Sequence, residues 1–327
     1  MNIEIRELDP AHPETLPMLL PVFQAAVTAD APTHAPPTAA FLAWNAAPRS
    51  TRHRACVTAF DGDRPVGFGC LNHEHDTNRD LVYGDLWILP EYRDRVTVPL
   101  LDAFKAHTRG RGGTRLVNGF SEFSAVDYEP AFIAGGGRKV AEERRSRLDL
   151  TKIDHDQYAA WAAPSEKNAH YRIQTWQTPT PEELLAPLVT ANEAMRDAPT
   201  GDLDFQLPPP DVERRRRSEA EHLAINMRMY IIAALTADGA IAGFHEMFVF
   251  PDSPMASVGN TGVAAAYRGH GLGLRLKTEL ALALLEAEPH LESVSTWNSS
   301  DNGPMLRVNE AMGYIKAEAW SNWQFDL

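Results

Sequence analysis

Apolar residues recur along this chain with two distinct periods. Alternation of apolar and polar positions, the mark of a half-buried strand, or a short apolar run such as 229–235, predicts strands over 171–176, 229–235, 240–250, 257–263 and 292–297, with a closing strand near 320–325. Apolar positions three and four apart predict helices over 181–195, 211–223, 272–286 and 304–312. Asp238 and Gly239 supply the residues that positive φ angles favour, which predicts a hairpin between the second and third of these strands. At the start of the chain Met1-Asn2-Ile3-Glu4-Ile5-Arg6 alternates like a strand and does not read as a secretion signal.

The same order of elements occurs twice. Asp30-Ala31-Pro32-Thr33 returns as Asp197-Ala198-Pro199-Thr200, a shift of 167. Gly67 returns as Gly243, Arg93 as Arg268 and Gly136 as Gly313, with shifts of 176, 175 and 177. One near-constant offset means a duplication. A length of 327 residues also exceeds what one core usually supports. The expected division is a first domain at 1–150, a polar and Ala-rich linker at 151–170, and a second domain at 171–327.

Composition narrows the class. The apolar share of 44% suffices for ordinary cores, and no apolar run reaches the roughly 18 residues of a membrane span. A net charge of −13 opposes unselective binding to nucleic acid or anionic membrane. Two cysteines, Cys56 and Cys70, lie in apolar strand-like runs and read as reduced and buried, which fits a cytoplasmic protein. Arg214, Arg215, Arg216 and Arg217 form a run beside Glu213, Glu219 and Glu221 and read as a solvated helix face, with an anion or partner site as the alternative.

The richest local pattern lies between Gly262 and Tyr314. A strand end at Gly262-Val263 leads through Arg268-Gly269-His270-Gly271-Leu272-Gly273 into an apolar helix. Glycines let the backbone approach an anion, and the helix start offers unpaired N–H groups and the positive end of its dipole. Thr296-Trp297-Asn298, Asn302, Pro304-Met305, Asn309-Glu310 and Gly313-Tyr314 follow at short spacings. Together these resemble motifs A and B of the GCN5-related N-acetyltransferase (GNAT) superfamily, in the tandem form similar to actinobacterial mycothiol synthase-like proteins. The resemblance covers 171–327 well and 1–150 weakly.

That resemblance implies an α/β fold with a mixed sheet, as two tandem GNAT-fold domains, each a mostly antiparallel central sheet flanked by helices. It also implies acetyl-CoA or another acyl-CoA as donor, held by Arg268, Gly269, His270, Gly271, Leu272 and Gly273. The backbone at Gly262 and Val263 polarises the thioester carbonyl in this reading. Asn298 and Asn302 follow the fifth strand, and Asn302 contacts the cofactor, caps the next helix, or does both. In the first half the positions of Gly271 and Gly273 hold Val96 and Val98, whose branched side chains would obstruct a diphosphate, so that copy is expected to be degenerate.

The remaining chemistry is less fully specified. Glu246 shares a strand face with Phe244 and Phe248, and an ionised carboxylate there is costly unless paired or hydrated. Its two readings are a general base and a structural ion pair. Where many relatives carry a tyrosine acid this chain has Asn309, whose amide cannot supply a proton to a thiolate; Tyr314 and water are the alternatives. Asp197, Asp202 and Asp204 cluster in the loop expected to receive the acceptor and would suit a cationic amine. The implied activity is N-acylation of a small-molecule primary amine by the second domain, in a monomer or homodimer without metal. A non-catalytic CoA sensor or partner-binding module and a transferase fed by an acyl carrier protein are the alternatives.

Overall fold

The computed structural model of the chain describes residues 3–327, so Met1 and Asn2 of the expected first strand lie outside the described residues. Two compact units divide the molecule. The first takes the residues up to Arg144 together with Thr200–Pro208 and Ala317–Leu327; the second takes Arg145–Pro199 and Pro209–Lys316.

The first unit contains β1 (Ile3–Leu8), α1 (Thr15–Asp30), α2 (Ala39–Ala46), β2 (Arg52–Asp61), β3 (Arg64–Glu74), β4 (Leu81–Gly84), β5 (Trp87–Ile88), α3 (Arg93–Gly110), β6 (Arg115–Ser121), α4 (Ala125–Ala134) and the start of β7 (Arg138–Asp149). The second contains the end of β7, α5 (His155–Ala162), β8 (Arg172–Gln177), α6 (Glu182–Ala191), α7 (Val212–Ala224), β9 (Arg228–Leu235), β10 (Ile241–Val249), β11 (Met255–Val263), α8 (Leu272–Ala287), β12 (Ser293–Ser299), α9 (Gly303–Ala311) and the start of β13 (Ile315–Asp326). In the first unit β1 to β4 pair antiparallel, and β4 then pairs parallel with β6. In the second β8 to β11 pair antiparallel, and β11 pairs parallel with β12. The repeated sequence pattern is therefore a repeated topology.

Each unit is completed by a strand from the far half of the sequence. β13 pairs antiparallel with β6, from Trp320 opposite Ser121 to Asp326 opposite Arg115, all within the first unit. The end of β7 lies beside β12, and just beyond it Leu150 N–H donates to Glu292 O at 2.8 Å. The units thus depart from a cut at residue 150, because backbone pairing, not chain order, decides where a closing strand belongs.

Residues 151–170 also depart from a bare linker. Asp154 accepts from Gln157 N at 3.0 Å and caps α5. Tyr158 of that helix is buried, donates its hydroxyl to Met312 O at 2.6 Å, and packs with Trp161 into the core of the second unit. Two aromatics at i and i+3 outweigh the alanines around them.

β10 shows how alternation divides the second core. Phe244 faces Leu188 of α6 with Ile231, while Met247 and Val249 face Leu276 and Leu280 of α8. Burial of each such side chain stabilises by roughly 1.5–3 kcal/mol. The first unit has an aromatic core instead, with Phe23, Phe68, Phe104 and Phe132 fully buried.

The duplicates differ where their long helices begin. In the first unit a 3-10 turn, Pro90–Tyr92, runs directly into α3 at Arg93, and Val96 is buried in the core. In the second unit the turn Ala265–Tyr267 is followed by a loop through Gly271 before α8 starts at Leu272. Four residues that coil around an opening in one copy are a turn of helix in the other.

Candidate active site

β11 and β12 pair only from Met255 opposite Ser293 to Ser257 opposite Ser295. Beyond that point they diverge. Between His245/Thr261 and Met247/Val258 the pairing of β10 with β11 steps two residues on β10 and three on β11, a bulge that bends β11. The divergence opens a cavity of about 590 Å³, walled by Val258, Thr261, Gly262 and Val263 on one strand and Thr296, Trp297 and Asn298 on the other.

One end of this cavity is an anion seat. Gly269 and Gly271 have φ of 82° and 76°, which side-chain-bearing residues rarely adopt, and both line the cavity with Leu272 and Gly273. No side chain caps α8, so its first N–H groups meet the cavity. A Cβ built at Gly273 would meet nothing within 4 Å and would stand in this open space. These features fit the diphosphate of an acyl-CoA.

The loop is braced from behind. Tyr171 hydroxyl and His270 Nδ1 lie 2.7 Å apart, and Asn168 Nδ2 donates to His270 O at 3.1 Å. Arg275 Nη1 in turn donates to Asn168 O at 2.9 Å. The His270 ring is thereby held by Tyr171, and His270 is absent from the cavity wall, unlike its expected neighbours in the loop. Sequence reasoning singled out neither Asn168 nor Tyr171, since their partners are about 100 residues away.

Arg268 lines the cavity, with Nε donating to Val263 O at 3.0 Å and Nη2 to Asp197 Oδ2 at 2.6 Å. Asp197 also lines the cavity, but Asp202 and Asp204 do not. They belong to the first unit, where Asp202 N donates to Val140 O at 2.8 Å and Arg115 Nη1 donates to Asp204 O at 2.9 Å. Only Asp197 of the three is on the cavity wall, so the expected three-carboxylate cluster reduces there to one.

Asn298 and Asn302 both border the cavity. Asn302 Oδ1 accepts from Met305 N at 3.3 Å and so caps α9. Asn309 is buried behind them, its Nδ2 donating to Asn298 Oδ1 at 2.8 Å, and it fixes Asn298 from outside the cavity wall.

Glu246 is buried on the other face of β10, away from α8, and does not line the cavity. Arg215 of α7 donates to it at 2.9 Å and to Glu219 at 2.8 Å, and Asn260 N–H reaches its second oxygen at 3.4 Å. The arginine run is accordingly not a solvated face throughout, since Arg216 also binds Thr180 O, Glu219 and Glu182. Tyr314 is fully enclosed, off the cavity wall, with its hydroxyl unpartnered among the described residues; burial drives its ionisation far above the ordinary phenol range.

Lys277 is the residue the sequence did not suggest. It lies one turn beyond Gly273 on the cavity-facing side of α8, among leucines, where a lysine looks like an interruption of an apolar stripe. It is 1% exposed, and burial lowers its ammonium from 10.5 to about 8. Its Nζ sits 5.5 Å from the centre of the Tyr314 ring. His245, paired through Nδ1 with Thr261 Oγ1 at 2.7 Å, is held neutral by burial and by the Lys277 charge.

Comparison with known proteins defines the class. Residues 192–314 match the family model described as the acetyltransferase (GNAT) family, a stretch that includes the splayed strands, the glycine loop and α9. The match covers part of the chain, mostly within the second unit, and the whole chain has the tandem GNAT fold. A tandem GNAT protein from the clavulanic acid biosynthesis pathway superposes with a TM-score of 0.82 at 23% identity, over 99% of this chain and 98% of that one. A GCN5-related N-acetyltransferase from Sphaerobacter thermophilus gives 0.69 at 15% identity, over 99% and 95%. N-myristoyltransferase of Saccharomyces cerevisiae, with bound myristoyl-CoA, gives 0.62 at 11% identity, over 99% and 78%. At these identities the likeness is one of fold. No curated protein matches the chain in sequence. Among the described residues no helix is long and apolar enough to cross a membrane.

Proposed function

We propose that the second unit transfers an acyl group, acetyl first among the candidates, from acyl-CoA to a primary amine of a small molecule. The observation that carries this reading is the joining of an uncapped helix start, two left-handed glycines and a strand divergence in one cavity. The backbone of Gly269, Gly271, Leu272 and Gly273 would hold the diphosphate, with Arg268 adding charge. Asn298 and Asn302 would border the pantetheine arm, and β11 from Val258 to Val263 has no β12 partner, leaving backbone groups to orient the thioester. Asp197, whose Oδ2 accepts from Arg268, is the one carboxylate on the cavity wall among the described residues and would face an incoming amine.

A CoA-binding sensor is the second reading. Asn309 in place of a tyrosine, Glu246 locked against Arg215 and Tyr314 off the cavity wall favour it. A carrier-protein donor is supported less, because Arg215 and Arg216 are committed to internal ion pairs. Calorimetric titration with acetyl-CoA, followed by thiol release against a panel of small amines, separates the readings. Saturable binding with amine-dependent thiol supports the transferase; tight binding with no thiol from any amine contradicts it and leaves the sensor.

A further inference from the structure

Acyl transfer from a thioester must place one proton on the departing sulfur and remove one from the new amide nitrogen. Among the titratable side chains on the cavity wall are Asp197, Tyr267, Arg268 and Lys277. Arg268 and Asp197 are paired to each other, and a guanidinium does not give up its proton in this range. Lys277 differs from both. No carboxylate lies within ion-pair distance of its Nζ among the described residues, and the groups shown beside it, His245 on β10 (itself bonded to Thr261 of β11) and the Tyr314 ring, are neutral.

Resting on the transferase reading above, we propose that Lys277 Nζ is the proton-transfer group of the second unit, protonating the leaving sulfur. The acceptor nitrogen forms its bond to the carbonyl carbon with its own electron pair. The carbon–sulfur bond breaks with its pair passing to sulfur, which takes a proton from the Lys277 ammonium and leaves as the thiol. The neutral Lys277 amine then takes the surplus proton from the new amide nitrogen and is an ammonium again. Protons and electrons balance without any other reactant.

The environment suits such a role. A proton donor works best when its own affinity lies close to that of the group it serves, and a free thiol titrates near 8.5. Lys277, brought down to about 8 by burial, is close to that value, whereas an exposed lysine is not. Its resting active form is the ammonium, so turnover should fall as pH rises through about 8.

The test uses full-length protein, acetyl-CoA, and hydroxylamine as a small acceptor that is neutral across this range, with thiol release corrected for the uncatalysed reaction. Lys277→Met should bind CoA within about threefold of wild type by calorimetry and lose about 100-fold or more in thiol release, the scale of acid–base assistance. Lys277→Cys alkylated with bromoethylamine restores an amine made more acidic by its sulfur. Shortening the side chain to cysteine opens position 277 to the cavity it lines, whereas Cys56 and Cys70 stay enclosed in the core of the first unit, which directs the reagent to position 277. Activity should return, with the alkaline fall displaced to lower pH, a displacement no packing role would produce.

Lys277→Met retaining release within threefold, or an alkylated protein whose alkaline fall stays in place, overturns the proposal and leaves the transferase standing. Wild type that binds CoA but releases no thiol overturns the transferase reading and this proposal together. Failure of wild type to bind CoA overturns the seat itself. Should Lys277→Met not fold, Lys277→Arg decides: a permanent cation must keep CoA binding and lose release.

Discussion

Arg268 Nη2 donates to Asp197 Oδ2 at 2.6 Å, and the equivalent residues of the first unit, Arg93 and Asp30, make the same pair at 2.7 Å. The pair survived duplication in two different environments. In the second unit its side chains are about half exposed at the cavity, while in the first they are 7% and 2% exposed and Asp127 of α4 adds a second carboxylate at 2.8 Å. One copy keeps the arginine available to a ligand, and the other has enclosed it in the core.

The two aspartates should therefore respond differently to the same substitution. Asp30→Ala leaves a buried arginine short of a partner and should cost about 3 kcal/mol or more in urea unfolding. Asp197→Ala should cost under about 1 kcal/mol, as exposed pairs do. Calorimetry on Asp197→Ala should show tighter CoA binding, since Arg268 is released to a phosphate. Equal stability losses, or weakened CoA binding, would contradict this assignment.

Glu246 is expected to act through stability. Its carboxylate is buried against Arg215, and Glu246→Gln should lower unfolding free energy by about 2 kcal/mol. Turnover per folded molecule should change less than about threefold, under ~1 kcal/mol of barrier. A tenfold loss of kcat at unchanged stability would restore the general-base role.

Lys277 links pH to stability with a definite sign. Its folded value of about 8 lies below the ordinary 10.5, so the unfolded chain holds the proton more tightly. The cost of the buried ammonium is present in full below pH 8 and is relieved as pH rises from about 8 to 10.5, a contribution of about 3 kcal/mol. Lys277→Met should be more stable than wild type at pH 7 and should lack that rise. Parallel pH profiles for the two proteins would refute the buried-charge account.

The sequence made the topology legible because strand alternation, the hairpin at Asp238-Gly239 and the repeated offset are local signals. The glycine loop was legible for the same reason. Proximity along the chain puts Asp202 and Asp204 in the acceptor site, yet a backbone bond to Val140 O and the Arg115 guanidinium hold their segment, which no local pattern records. Strand alternation identifies Glu246 as a costly charge on an apolar face, but its partner Arg215 is hidden in a run that reads as solvated. Lys277 escaped because its meaning depends on a strand divergence that only the pairing of β11 and β12 reveals. Local chemistry is written in the sequence, while the partners that give it a role are set by long-range packing.

The central claim is that one copy of the duplicated fold keeps a bare backbone seat for a diphosphate and the other has closed it. Gly273 tests this most directly, since a side chain there enters the cavity without backbone strain. Calorimetric titration of the full chain with acetyl-CoA should give one site per chain, and Gly273→Val should weaken it by on the order of 100-fold, about 2.7 kcal/mol, with the unfolding midpoint little changed. Two sites in the wild type, or undiminished binding in Gly273→Val, would contradict the account.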